Sequence, residues 1–125
     1  MKKQVLEIAG GPLTVGPYSQ AVFHGDTLYI AGQMGFAPGK TTVVSGIEQQ
    51  TRQALSNLGD VLRAAGLTYS DVVKTTLYMV DITDISAVNA IYREFFPEEP
   101  PVRSCVQVSA LPKAALIEIE AIAGW

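Results

Sequence analysis

Arg103, Cys105, Glu118 and Glu120 are the residues whose types and spacing could do chemistry, and all four fall within PVRSCVQVSALPKAALIEIE, Pro101 to Glu120. From Val102 to Val108 the residues alternate. Val102, Ser104, Val106 and Val108 share one side, and Arg103, Cys105 and Gln107 the other, which is the period of a half-buried strand. Ser109 to Ala114 reads as a connection, because Pro112 cannot donate to a ladder. A second strand follows, with Ala115, Ile117, Ile119 and Ala121 on one face and Leu116, Glu118, Glu120 and Ile122 on the other. A guanidinium, a thiol and two carboxylates can thereby share one side of one sheet. If the two strands pair directly, Cys105 sits opposite Glu118 and Arg103 opposite Glu120. If one strand lies between them, Arg103 and Glu118 stand roughly 10 Å apart, room for a small carboxylate on the Arg and a water near the Glu. The same residues also fit a structural Arg–Glu ion pair at a sheet edge or subunit contact.

The elements that must position these groups follow from periodicity and punctuation. Gln4 to Ala9 reads as a first strand, ended by Gly10-Gly11-Pro12, and Gly16-Pro17 marks a turn before Tyr18. Ser19 to Phe23 and Thr27 to Ala31 are short strands joined by a His24-Gly25-Asp26 hairpin turn, after which Gly32, Gly35, Pro38 and Gly39 mark an irregular loop. Ser45-Gly-Ile-Glu48 has the form of a capping box, and Ala54, Leu55, Leu58, Val61, Leu62 and Ala65 recur at helical spacing up to Gly66. Val72 to Val80 is dense in β-branched residues and reads as a central strand. Asp84 can cap a second helix bearing Ile85, Val88, Tyr92 and Phe95, stopped by Pro97, Pro100 and Pro101. The order β-β-β-α-β-α-β-β predicts an α+β, two-layer domain over residues 1–125. Two helices cover one face of a six-stranded mixed sheet, with the third, fourth and fifth strands parallel and the sixth antiparallel. Nothing in the chain covers the other face, so subunit association is expected there.

Composition narrows the function. With 125 residues, 48% hydrophobic and 17% charged, the chain suits one core and a homo-oligomer. Its net charge is −3 and it has no Lys/Arg run, so it lacks the electrostatic footprint of a nucleic-acid binder. One Cys allows no internal disulfide, and the N-terminal MKKQVLEIAGG is neither signal peptide nor membrane span, so a cytoplasmic protein is expected. One His and one Cys do not make a standard zinc site, and a Ser-His-Asp triad would have to use His24, which falls in a turn. Nothing obvious lowers the pKa of Cys105, which reads as pocket-lining and not catalytic. Tyr18, constrained by Gly16-Pro17, reads as pointing its hydroxyl into a cleft. Lys74 could form a Schiff base, but its Thr neighbours read as an exposed strand position.

The chain resembles the reactive intermediate deaminase family, also called YjgF/RidA, over nearly its whole length. The resemblance rests on Gly16-Pro17-Tyr18-Ser19-Gln20-Ala21, Ala31-Gly32-Gln33, Val73-Lys74-Thr75-Thr76, Val88-Asn89 with Tyr92, and Pro101-Val102-Arg103-Ser104 through Leu111-Pro112 to Ile117-Glu118-Ile119-Glu120. It implies a chorismate-mutase-like homotrimer with ligand clefts between subunits and the sixth strand between the third and fourth. It further implies hydrolysis of enamines and imines, notably 2-aminoacrylate, to 2-keto acids and ammonia, with no cofactor or metal. Arg103 matches the family's carboxylate-binding Arg, Glu118 the acid near the reacting water, and Tyr18, Gly32, Asn89 and Cys105 the cleft lining. Two positions depart from the pattern: Ala31 stands where Ser is expected before Gly-Gln, and Val102 where Ala is more usual. The first removes a hydroxyl contact and bears on substrate preference. Some relatives are described as endoribonucleases that inhibit translation, which the acidic composition opposes. An Arg-anchored cleft could also bind a keto acid as a regulator without turning anything over.

Overall fold

Isoleucines and alanines that alternate with Glu118, Glu120 and Ile122 put one apolar face on the last strand, and that face organises the sheet. In the computed structural model, which describes residues 2–8, 14 and 16–125, eight main elements follow one another. They are β1 (Gln4–Val5), β2 (Ala21–His24), β3 (Thr27–Met34), α1 (Ile47–Ala64), β4 (Val72–Met79), α2 (Ile85–Phe95), β5 (Val102–Gln107) and β6 (Ile117–Gly124). The sheet order is β1-β2-β3-β6-β4-β5. β6 runs antiparallel to both β3 and β4, and β5 runs parallel to β4. The sixth strand therefore lies between the third and fourth, as expected, and the two ends of the Pro101–Glu120 stretch do not pair directly.

Leu28 of β3, Leu77 and Met79 of β4 and Ile117 and Ile119 of β6 are fully buried against Leu55, Leu58 and Leu62 of α1 and Val88 of α2. Burying each such side chain contributes about 1.5–3 kcal/mol, which fixes both helices on one face of the sheet. The other face carries Tyr29, Lys74, Thr76, Tyr78, Glu118, Glu120 and Ile122. Among the described residues no helix packs over that face, and Tyr29 is 46% exposed there.

Four sequence expectations are corrected. The first strand spans only Gln4–Val5, and its expected end at Ala9, with Gly10-Gly11-Pro12, lies outside the described residues. β3 does not stop at Ala31 but runs to Met34 through a register shift between Ile30 and Gln33. A glycine inside a strand commonly accompanies such an irregularity, and Gly32 lies within this one. Ser45 makes no capping box. The chain enters α1 through Gly46 at φ 85°, whose left-handed backbone leaves Ser45 one residue outside the cap. Asp84 occupies the N-cap of α2 without a side-chain bond, while Asp81 accepts from the Thr83 amide at 3.0 Å in the preceding turn. Gly66, at φ 75°, closes α1 as expected, with its N–H on Arg63 O and that of Leu67 on Leu62 O. Among the described residues no helix is long and apolar enough to cross a membrane.

Candidate active site

Arg103 faces the helix layer. β5 is an edge strand whose register sets Arg103 beside Thr75 of β4, and both point towards α2. The guanidinium lies over the Tyr92 ring, 4.9 Å from its centroid, and Nη1 donates to Asn89 Oδ1 at 2.9 Å. Tyr92 is buried, and its hydroxyl is hydrogen-bonded to that of Thr75, itself fully buried, at 2.8 Å. The arginine thus rests on an aromatic shelf locked from beneath, with its remaining N–H groups free to grip an anion. The cavity in front of it, about 270 Å³, is lined by Asn89, Tyr92, Arg93, Phe96, Pro100, Pro101 and Arg103. That is near the lower end of small-molecule sites. Cys105 is half-buried two residues further along the same face, its Sγ 3.4 Å from Met79 Sδ. Burial pushes the thiol's pKa up, against a smaller lowering by Arg103. A thiol so held stays protonated and is a poor nucleophile.

Glu118 faces the opposite side. Its partners in register are Met34 on β3 and Tyr78 on β4. Burial, and secondarily the charge of Glu120, raise its pKa above the ordinary glutamate value. Gly32 makes room for it: a Cβ at that position would fall 2.6 Å from Glu118 Cδ and 2.8 Å from Cγ. Glu120 accepts a 2.7 Å hydrogen bond from the Tyr78 hydroxyl, whose own pKa is raised chiefly by that bond. Lys74 and Thr76 line a cavity of about 210 Å³ beside Glu120. Tyr18 lies on the turn before β2, 43% exposed, with its backbone N–H donating to Gly16 O at 2.9 Å.

The expectation that guanidinium, thiol and carboxylates share one side of the sheet is therefore corrected. Arg103, Cys105 and Asn89 gather on the helix side, while Glu118 and Gly32 gather on the open side. Arg103 aligns with Thr75, and Glu118 with Tyr78, three residues further along β4. That offset is about 10 Å along the strand, added to about 10 Å across two strand spacings. Within one chain no three- or four-carbon acid touches both. Nor, among the described residues, is there an Arg103–Glu ion pair: Arg103 donates instead to an amide oxygen. Thr75 and the shelf role of Tyr92 were missed by sequence reasoning. The signal was the three-residue spacing of Asn89 and Tyr92, which puts both on one face of α2. Among the described residues no group of three His, Cys, Asp or Glu is placed to hold a metal ion.

The profile of the endoribonuclease L-PSP family matches residues 9–124. The human 2-iminobutanoate/2-iminopropanoate deaminase is 46% identical over 122 residues, covering 97% of this chain and 89% of its own. The crystal structure of RidA from an Antarctic Psychrobacter superposes with a TM-score of 0.94 at 38% identity, covering 98% of this chain and 99% of that one. Escherichia coli TdcF with bound serine superposes with a TM-score of 0.92 at 35% identity, covering 98% of each chain.

Proposed function

Because the chain belongs to the endoribonuclease L-PSP family, also called YjgF/RidA, we propose that it hydrolyses 2-imino acids and their enamine tautomers to 2-keto acids and ammonia. It is a 2-iminobutanoate/2-iminopropanoate deaminase, a hydrolase acting on C=N bonds. The observation that carries this reading is Arg103. Its guanidinium is fixed by Asn89 and Tyr92 at a small cavity and pairs with no carboxylate among the described residues. Small amino-acid-derived ligands fit it, and TdcF, a solved relative, holds serine.

The chemistry follows from the residues. Arg103 grips the substrate carboxylate bidentately. Glu118 takes a proton from water as the water oxygen bonds to C2 and the C=N π pair moves to nitrogen. The same carboxyl returns the proton to nitrogen and then carries the hydroxyl proton there as well, so that the O–H electron pair forms the keto C=O bond while the C–N bond breaks and its electron pair leaves with ammonia. An imine is reactive already, so positioning supplies most of the acceleration. Tyr18, Gly32, Asn89 and Cys105 line the cleft.

This mechanism needs Arg103 and Glu118 together, and three copies of the chain in a homotrimer supply them, Arg103 from one copy and Glu118 from the next. Two features support the trimer. The separation of the two groups within one chain leaves each site incomplete alone, and no helix among the described residues covers the open sheet face, Val102 and Val106 being 67% and 42% exposed. The single Cys suits a reducing compartment such as the cytoplasm.

The test is decay of 2-aminoacrylate, generated from serine by a serine/threonine dehydratase, with and without the purified protein. Accelerated decay is expected. Saturable 2-ketobutyrate binding without acceleration would establish a binder instead, and RNA cleavage that co-purifies with the protein would establish the nuclease named in the family's description. Gly32→Ala gives a second check. Its methyl must displace the flexible Glu118 side chain and not the backbone. kcat/KM is therefore expected to fall by about 10- to 100-fold while Tm moves by less than about 5 °C. Unchanged turnover would mean that the carboxyl position seen here is not the working one.

A further inference from the structure

Four arginines stand in this chain, and they divide into two pairs. Arg52 binds Glu94 with two hydrogen bonds, and Arg63 pairs with Asp60. Arg93 and Arg103 have no carboxylate partner among the described residues, and these two line the same cavity. The rest of its lining is neutral: Asn89, Tyr92, Phe96, Pro100 and Pro101. Of the acidic residues nearby in sequence, Glu94 pairs with Arg52, and Glu98 and Glu99 line a neighbouring cavity beside Tyr69 and Phe95. Arg93 lies in the last turn of α2, one turn after Asn89 and on the same face, so the helix that holds Arg103 also carries the second cation. The α2 C-terminus favours a cation there but supplies no anion to neutralise it.

We propose that Arg93 forms a second anion subsite, so that the cleft accepts 2-imino dicarboxylic acids, the imines of acidic amino acids, with the α-carboxylate on Arg103 and the side-chain carboxylate on Arg93. Two cations in a chain of net charge −3, sharing one small cavity without an internal counter-ion, fit a ligand with two negative ends. The aromatic and proline walls between them suit a short methylene chain. The reaction is unchanged: water adds to C2, the C–N bond breaks and ammonia leaves, giving a 2-keto dicarboxylate. The inference rests on the deaminase reading and names its substrate class.

Calorimetric titration with 2-oxoglutarate and 2-ketobutyrate tests it, alongside turnover of 2-iminoglutarate generated from glutamate by an oxidase. In wild type, 2-oxoglutarate is expected to bind about fivefold more tightly than 2-ketobutyrate, as one additional solvent-accessible ion pair allows. In Arg93→Gln the ratio of the two affinities is expected to fall to about one, and Arg93→Lys to recover part of it. Equal affinities in wild type, or a preference that survives in Arg93→Gln, would overturn the proposal, as would inorganic phosphate binding at Arg93 with no preference for the dicarboxylate. Failure to turn over 2-aminoacrylate would sink the deaminase reading instead, and the affinity ratio would still report on the subsite.

Discussion

Arg103→Ala is expected to lower kcat/KM for 2-aminoacrylate by about 10²- to 10³-fold and to weaken 2-ketobutyrate binding by a comparable factor. Each hydrogen bond to a charged group is worth about 1.5–3 kcal/mol, and a bidentate guanidinium–carboxylate pair makes two. The side chain is exposed, so its removal leaves the core intact, and the thermal transition should move little. Arg103→Lys separates charge from geometry. An ammonium keeps the attraction but has neither the planar fork nor the stacking on Tyr92, and it should recover only part of the loss. Tyr92→Phe keeps the ring under Arg103 and deletes the hydroxyl bonded to Thr75. A small loss there, set against a large one in Arg103→Ala, would separate the shelf from the grip. Wild-type turnover in a folded Arg103→Ala protein would remove the anchor role altogether.

The sequence made the elements legible because their signals are local. Alternation marked β5 and β6, β-branched density marked β4, and helical spacing up to Gly66 marked α1. Which faces coincide is not local. β4 lies between β5 and β6, and its registers with each decide that Arg103 joins the side of Ile117 and not that of Glu118. The usual rule that apolar alternates turn inward also fails on β5. As an edge strand it sends Val102 and Val106 to the open face and Arg103 and Cys105 towards α2. Gly32 was read as the start of a loop for a related reason. Its role depends on Glu118, 86 positions away, and no neighbour in sequence signals that approach. The Ser45–Glu48 spacing matched a capping box, but Gly46 takes the left-handed entry and the box never closes. Residue identity therefore indicated the chemistry, and register decided how it is divided between two faces.

That division makes Glu118→Gln informative in two ways. The amide cannot accept the proton of the attacking water, so kcat is expected to fall by about 10²-fold or more. In the proposed mechanism the working form is the carboxylate, and burial together with Glu120 raises the pKa of Glu118 in the folded chain. Activity is therefore present above that raised pKa and lost as pH falls through it, giving an acid limb of kcat/KM above the ordinary glutamate range. Glu120→Gln removes the second cause and leaves burial, so the limb should shift part of the way down. Stability runs the opposite way: a carboxyl whose pKa is raised on folding costs stability as pH rises through the folded pKa, so at neutral pH Glu118→Gln should hold or raise Tm. If Arg103 and Glu118 meet only between copies, the two inactive variants complement each other. In oligomers reassembled from an equal mixture of Arg103→Ala and Glu118→Gln chains, random pairing joins an intact Arg to an intact Glu at about a quarter of the interfaces, and about a quarter of wild-type activity should return. Recovery at that level requires sites shared between copies, because a site built within one chain would stay inactive in every mixture.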